Sequence, residues 1–467
     1  MFEIIQARKW LARISLLVLM PLMLVACLDD DDDDDSSVDD RGYLQFYNAS
    51  PNSSTTQLRL DDALVGSAPY GDATALAAIE LEDYTLTLER ADTGDATNNV
   101  VVVERDISIS KNDYTLWAMF GDFTAPELVA YDYEPADEFD DEQFELLAYN
   151  FTSGSSQLEI YYAPEDGNFE EASYLATLGA REQSASFDLE EGDYTFYVIE
   201  VDSGELILAT AEVPFVEAKT YFIVLRDDNE STDGTISLDQ VTTSTFVYNY
   251  TNEDNVAQLR VYNSIDELGS VDVLLTGRSE NPSFAALDAD RLSEFQTMPY
   301  GDYTLALTEV DNPAGKHLEN KLVSLASGAS KNVVFYKSTS DVVSALVFTQ
   351  DVRERVYEHD INLVSFANKL DADGDRYLLK AYFVNEDEGE TLESAAQVLT
   401  GVDFAKVRNF TLVSGDYAVY ITYTDDDGVE QALVDDIYLE LEANSNYMLI
   451  VEPDSSAYGG YRISVAR

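Results

Sequence analysis

One phrase returns four times along this chain: Asp83-Tyr84-Thr85, Gly192-Asp193-Tyr194-Thr195, Gly301-Asp302-Tyr303-Thr304 and Gly415-Asp416-Tyr417-Ala418. The tyrosines recur about every 110 residues, the period of a whole small domain with its own core rather than of a solenoid unit that needs neighbours. After each one, apolar side chains alternate strictly: Tyr84, Leu86, Leu88; Tyr194, Phe196, Val198; Tyr303, Leu305, Leu307; Tyr417, Val419, Ile421. That period of two predicts a half-buried antiparallel strand.

The rest of each repeat follows suit. An apolar, aromatic strand opens it near an asparagine, at Phe46-Tyr47-Asn48, Ala148-Tyr149-Asn150, Val247-Tyr248-Asn249 and Phe366-Ala367-Asn368. A second strand follows at Gln57-Leu58-Arg59-Leu60, Gln157-Leu158-Glu159-Ile160, Gln258-Leu259-Arg260-Val261 and Tyr377-Leu378-Leu379-Lys380, and a later one at Tyr114, Tyr221, Val333 and Tyr447. With 30 Tyr and 21 Phe and few helical stripes, the chain is expected to be all-β. It predicts four tandem immunoglobulin-like β-sandwich domains over 41–140, 141–243, 244–356 and 357–467, sitting close together like beads. The repeated tyrosine is expected at a strand entry, its hydroxyl satisfying a nearby carbonyl as in a tyrosine corner.

The run Gln45-Phe46-Tyr47-Asn48-Ala49-Ser50-Pro51, followed by Gln57-Leu58-Arg59-Leu60-Asp61 and Asp83-Tyr84-Thr85-Leu86, resembles the bacterial surface domains grouped as domain of unknown function 4397. Those domains begin with a strand ending in His-Ala-Ser-Pro and later carry a Gly-x-Tyr strand, often in tandem. Asn48 stands where the family has histidine, and only the first repeat keeps the Ala-Ser-Pro sequel. The resemblance implies an Ig-like surface domain and no particular activity.

The N-terminus predicts export. Arg8, Lys9 and Arg13 precede an apolar run from Ile14 to Ala26, broken only by Ser15 and Pro21. This is shorter than the roughly 20 apolar residues that span a bilayer as a helix, so residues 1–26 read as a signal peptide. Leu24-Val25-Ala26-Cys27 resembles the lipobox of bacterial lipoprotein precursors, which implies cleavage before Cys27 and acylation of that residue. Cys27 is the single cysteine, so no intrachain disulfide competes for it, and its expected partner is a lipid bilayer. Seven aspartates, Asp29 to Asp35, follow it, and residues 27–40 are expected to form an extended acidic tether. From Leu28 to Arg41 that tether would reach at most about 45 Å. Leu28, rather than aspartate, directly after the cysteine implies the outer membrane under the enterobacterial sorting pattern.

With 27 Lys and Arg against 90 Asp and Glu, the formal net charge is −63. Nucleic acid is thereby excluded as a partner, and an anionic membrane surface is disfavoured, because both recruit basic patches. The chemistry of catalysis is sparse. His317 and His359 lie in different repeats and outside zinc-like spacings, and no nucleophile elbow or phosphate loop occurs. No catalytic, cofactor or metal residue is therefore assigned, although so many carboxylates offer countless pairs among which sequence selects none. Asp371-Ala372-Asp373-Gly374-Asp375 alternates carboxylates as calcium loops do, but its glycine is misplaced and no glutamate closes it, so a solvated turn is expected, as at Asp425-Asp426-Asp427-Gly428. Two readings remain: a non-catalytic surface or envelope protein for adhesion, scaffolding or partner binding, and a carbohydrate- or peptide-binding module. For the second, exposed tyrosines such as Tyr161, Tyr162 or Tyr262 are the candidate stacking platforms.

Overall fold

The alternating strands form the expected layers. The computed structural model describes residues 40–93, 98–136, 142–154, 156–165, 167–216, 218–228, 236–252, 255–385 and 391–467, so the signal peptide, Cys27 and the polyaspartate run lie outside the described residues. Among the described residues the chain is strands with four short 3-10 turns and no α-helix.

Each repeat folds as two stacked sheets. In the first, Arg41–Asn48 pairs with Ala77–Glu80 and Tyr114–Phe120, and Glu127–Tyr133 completes that sheet. The second sheet joins Ala63–Ala68, Thr56–Leu60, the tyrosine strand Asp83–Ala91 and Asn99–Ser108. The opening strand runs parallel to Tyr114–Phe120, and Gln143–Asn150, Ala257–Asn263 and Glu358–Ser365 repeat that parallel pairing with Thr220–Asp227, Ser330–Lys337 and Tyr447–Pro453. Between the sheets, the alternating residues of the tyrosine strands meet the opening strands: Leu86 and Leu88 pack with Leu44 and Phe46, and Val419 and Ile421 with Ile361 and Leu363. The fold is all-β, with multiple sandwiches in tandem.

Two strand assignments change. Val247–Tyr250, expected to open the third repeat, pairs antiparallel with Ile236–Val241 as the fifth strand of the second sandwich's opening sheet, so the junction falls after the expected boundary at 243. The third repeat opens instead with Ala257–Asn263, the segment expected to be its second strand; the actual second strand is Val271–Thr276. Burial explains the choice. Leu259 and Val261 enter the third core, whereas Tyr248 is 58% exposed. In the fourth repeat the opening strand ends at Ser365, three residues before Asn368.

The sandwiches are also not beads. Opening sheets of neighbouring repeats pack face to face, a sheet-on-sheet contact that buries a second apolar face. Tyr47, Leu116, Ala118, Phe120 and Tyr131 of the first sandwich share one cluster with Leu147, Tyr149, Phe151, Phe222 and Val224 of the second. Tyr262 and Val334 of the third likewise meet Val364, Phe366, Met448 and Ile450 of the fourth. The segment before the fourth repeat then docks on the first: Arg353 Nη1 donates to the carbonyls of Pro51 (3.3 Å) and Ser53 (3.1 Å), and the Val356 amide to that of Asn52 (3.1 Å). Residues 40–467 thus form one compact unit, two pairs of sandwiches held together.

Candidate functional site

The repeated tyrosine is architectural. Tyr194, Tyr303 and Tyr417 donate to the carbonyls of Glu190, Pro299 and Val413 at 2.7, 2.6 and 2.9 Å, and Tyr84 to that of Glu80 at 3.4 Å, each four residues upstream. The corner explains the glycine. Gly192, Gly301 and Gly415 have φ of 149°, 137° and 156°, a region that side-chain-bearing residues rarely enter. Glu82 holds that place in the first repeat, where the bond is longest.

The asparagine that ends each opening strand is likewise structural. Asn48 Nδ2 donates to the Ala68 carbonyl (3.2 Å) while its Oδ1 accepts from the Ser50 amide (3.1 Å), tying the two sheets of the sandwich through an Asx turn. Asn150 does the same with Leu178 and Thr152, and Asn263 with Gly269 and Ile265. Ser365 substitutes in the fourth, its hydroxyl accepting from the Ala367 amide at 3.3 Å.

The first two of these turns border a cleft of about 980 Å³, where the first two sandwiches meet the third and the segment before the fourth. Ala49, Pro51 and Asn52 line it beside Phe120, Phe151 and Thr152, with Asp122, Asp227, Asp228 and Glu354 as carboxylates and Arg181 as the basic group. Part of this chemistry is already engaged: Asp227 accepts from the Ser153 amide, Asp122 from the Thr124 amide, and Arg181 pairs with Glu127. The cleft brings together the Ala49-Ser50-Pro51 stretch and acidic loops, which no linear motif announces.

A carboxylate, a tyrosine and an arginine lock each sandwich pair. Tyr47 donates to Asp239 (2.5 Å), which Arg226 also binds (2.7 Å), all three buried. Burial, with the Asp239 charge adding to it, holds the Tyr47 phenol far above its ordinary pKa. At the second pair Tyr262 donates to Glu452 (3.1 Å), which accepts from Arg462 (3.1 Å) and Ser464 (2.5 Å). Arg462 reaches on to Asp290 and Asp266 of the third sandwich. Burial raises the Glu452 carboxyl, and the Ser464 hydroxyl and Arg462 oppose that rise.

The histidines and acidic turns occupy different places. His359 is buried; its Nδ1–H donates to the Ser445 carbonyl (2.8 Å), and Nε2 faces the Ser414 hydroxyl (2.8 Å). His317 lies on the Asn312–Leu325 strand of the third sandwich. The Asp371 carboxylate accepts from the amides of Asp373 (3.0 Å) and Asp375 (2.7 Å), and Asp425 from those of Asp427 and Val429, so both acidic segments are side-chain-capped turns. Among the described residues no group of three or more His, Cys, Asp and Glu is arranged to hold a metal ion.

The three candidate platform tyrosines separate. Tyr262 is buried between the third and fourth sandwiches, and Tyr162 packs against the second core beside Tyr194, with ring centroids 5.8 Å apart. Tyr161 lies on the outer face, where it meets Tyr174 and Phe169, both with centroids at 5.7 Å.

No family model matches the chain, and no curated protein matches it. Among solved structures, it is similar to the Bacillus anthracis TIE protein at 11% identity and TM-score 0.15, over 88% of this chain and 68% of that one. A form of BcpA, the major pilin subunit of Bacillus cereus, gives 13% and 0.15 over 66% and 99%. The fimbrial anchor protein Mfa2 of Porphyromonas gingivalis gives 11% and 0.19 over 45% and 98%. Scores this low carry no weight, and the architecture rests on the strand pairing itself.

Proposed function

We propose that this chain is a non-catalytic, membrane-anchored surface or envelope lipoprotein that presents tandem β-sandwiches for adhesion, scaffolding or partner binding. The observation that carries the reading is the way the sheets are used. Opening sheets are consumed in contacts between sandwiches, while tyrosine-strand sheets turn outward, as the exposed Leu64, Tyr174, Leu322 and Tyr438 mark on all four. A body built this way holds several faces in fixed relation, which suits capture of an external partner better than turnover of a small substrate. The signal-peptide pattern and Cys27 support attachment by acyl chains, and the aspartate run supplies a spacer from the bilayer. Leu28 after the cysteine favours the outer membrane.

Protease shaving of intact cells tests this, comparing the natural chain with Cys27→Ala in membrane and soluble fractions. The reading expects a membrane-bound, shaved protein and an alanine variant that leaves the membrane. An alanine variant that stays on the membrane would overturn the lipid anchor; a bound but protected natural chain would move the role to the periplasmic side.

A further inference from the structure

We propose that the outer faces of the second and fourth sandwiches are saccharide platforms, each taking a neutral glycan chain across a cross-strand row of aromatic rings. In the second sandwich Tyr161 sits opposite Tyr174 on one neighbouring strand and Tyr197 on the other. Phe169, from the 3-10 turn Phe169–Glu171, lies against Tyr161 and Tyr197, with centroids 5.7 and 5.4 Å away. The outer rings are open to solvent, Tyr174 being 55% exposed and Phe169 38%, while Tyr197 is 9% exposed and backs the row.

The fourth sandwich keeps two of the three aromatic positions, with Val398 where the second has Tyr174 and with Tyr382 only 9% exposed. Tyr382 sits opposite Val398 and Tyr420, Tyr420 standing three residues after Tyr417 as Tyr197 stands after Tyr194. Tyr438, 58% exposed, stands on the next strand opposite Ala418, two residues along from Tyr420. The fold does not require rings there. The first sandwich places Arg59 between Leu64 and Thr87, and the third Leu274 between Ser283 and Ala306. Aromatics thus mark the second member of each pair, although the sheet forms without them.

Each row also carries a side-chain carboxyl as hydrogen-bond acceptor. Tyr161 donates to Glu159 (2.9 Å), and Tyr382 to Glu430 (2.8 Å), which also accepts from Thr422 (2.7 Å). Ring faces beside a carboxylate suit a sugar, whose C–H face stacks on the ring while its hydroxyls donate to the oxygens. Three adjacent strands span about 10 Å, room for roughly two pyranose rings. A formal charge of −63 repels an anionic glycan. On the fourth sandwich a basic protein is the poorer fit, because Lys380 already pairs with Glu430 at 3.2 Å. The inference rests on the presenting role above only in placing the partner outside the chain's own membrane.

The test is retention of the whole chain, in a non-glycosidic detergent, on insoluble cellulose, chitin and curdlan, with polylysine resin as the charge control. Retention on at least one neutral polymer is expected, unchanged as salt rises from about 0.05 to about 0.5 M. Tyr161→Ala with Tyr174→Ala should weaken it about tenfold, and adding Tyr420→Ala with Tyr438→Ala should abolish it, while Tyr161→Phe keeps most of it. Protease resistance of each variant reports folding. A folded chain that binds none of the three polymers overturns the proposal, as does retention indifferent to the alanines. Binding only to polylysine, lost in salt, overturns it in favour of a basic protein. Cell shaving reads exposure alone, so failure there leaves this result standing.

Discussion

Tyr417 and Tyr84 make the same hydrogen bond in different surroundings, and removing it should separate them. Tyr417 is fully buried with a 2.9 Å bond to Val413, so Tyr417→Phe should cost the fourth sandwich about 1 kcal/mol. Tyr84→Phe should cost less, since its 3.4 Å bond is exposed. Hydrogen exchange resolved to Gly415–Thr424 and Asp83–Ala91 checks both; equal losses would show that the corner bond is not what distinguishes them. His359 gives a pH signature. Burial lowers its pKa, Arg355 adds to the lowering, and the Ser445 carbonyl opposes it. The folded chain therefore prefers the neutral ring: the stability tied to it is intact above the ordinary imidazole value near 6.5 and is lost as pH falls from there through the lower pKa of the folded ring. The advantage of the natural chain over His359→Gln should narrow as pH drops from about 8 to about 5, read by urea unfolding of the fourth sandwich. A gap that widens would mean that the imidazole is charged in the fold.

Among elements, the two inter-sandwich locks differ in how far water reaches them. Arg226 and Asp239 are both buried, with Tyr47 and Asn249 also donating to the carboxylate. Arg226→Met would leave that charge without its counter-ion, at a cost of about 3–5 kcal/mol. Arg462 has a 29% exposed side chain, and Glu452, though 1% exposed, has a carboxyl that burial already raises and keeps Ser464 and Tyr262 as donors, so Arg462→Met should cost less. Exchange protection along Thr220–Asp227 and Tyr447–Pro453 in the two variants measures the difference. The sequence showed the tyrosine strands because their alternation is local. It misplaced the third opening strand because Val247-Tyr248-Asn249 and Val261-Tyr262-Asn263 carry the same signature, and only pairing with the distant Ser330–Lys337 decides between them. The face-to-face packing did leave a trace. Phe144-Glu145-Leu146-Leu147-Ala148-Tyr149 and Tyr221-Phe222-Ile223-Val224-Leu225 are near-continuous apolar runs, the pattern of strands buried on both faces. The outer rows left less: Tyr161 and Tyr162 are adjacent, and only strand register sends one outward and the other to the core.

For the whole molecule, these shared clusters predict that the pair of sandwiches, not the single repeat, is the smallest piece that folds by itself. A fragment of residues 41–140 would expose Tyr47, Ala118, Phe120, Tyr131 and Tyr133 on one sheet, a contiguous apolar face of a size that soluble monomers rarely leave open. Residues 41–252 keep that face covered by Leu147, Tyr149, Phe222 and Val224 and include Val247–Tyr250, the strand that completes the second sandwich. The longer fragment should run as a monomer in sedimentation velocity, and the shorter one should self-associate or aggregate at micromolar concentration. A monodisperse, folded 41–140 would show that the shared core is incidental. The pairing also bears on the proposed binding: with each opening sheet sealed against its neighbour, the outward tyrosine sheets and the acidic cleft are the faces left for a partner, and among the described residues the second and fourth of those sheets place aromatic rings on adjacent strands.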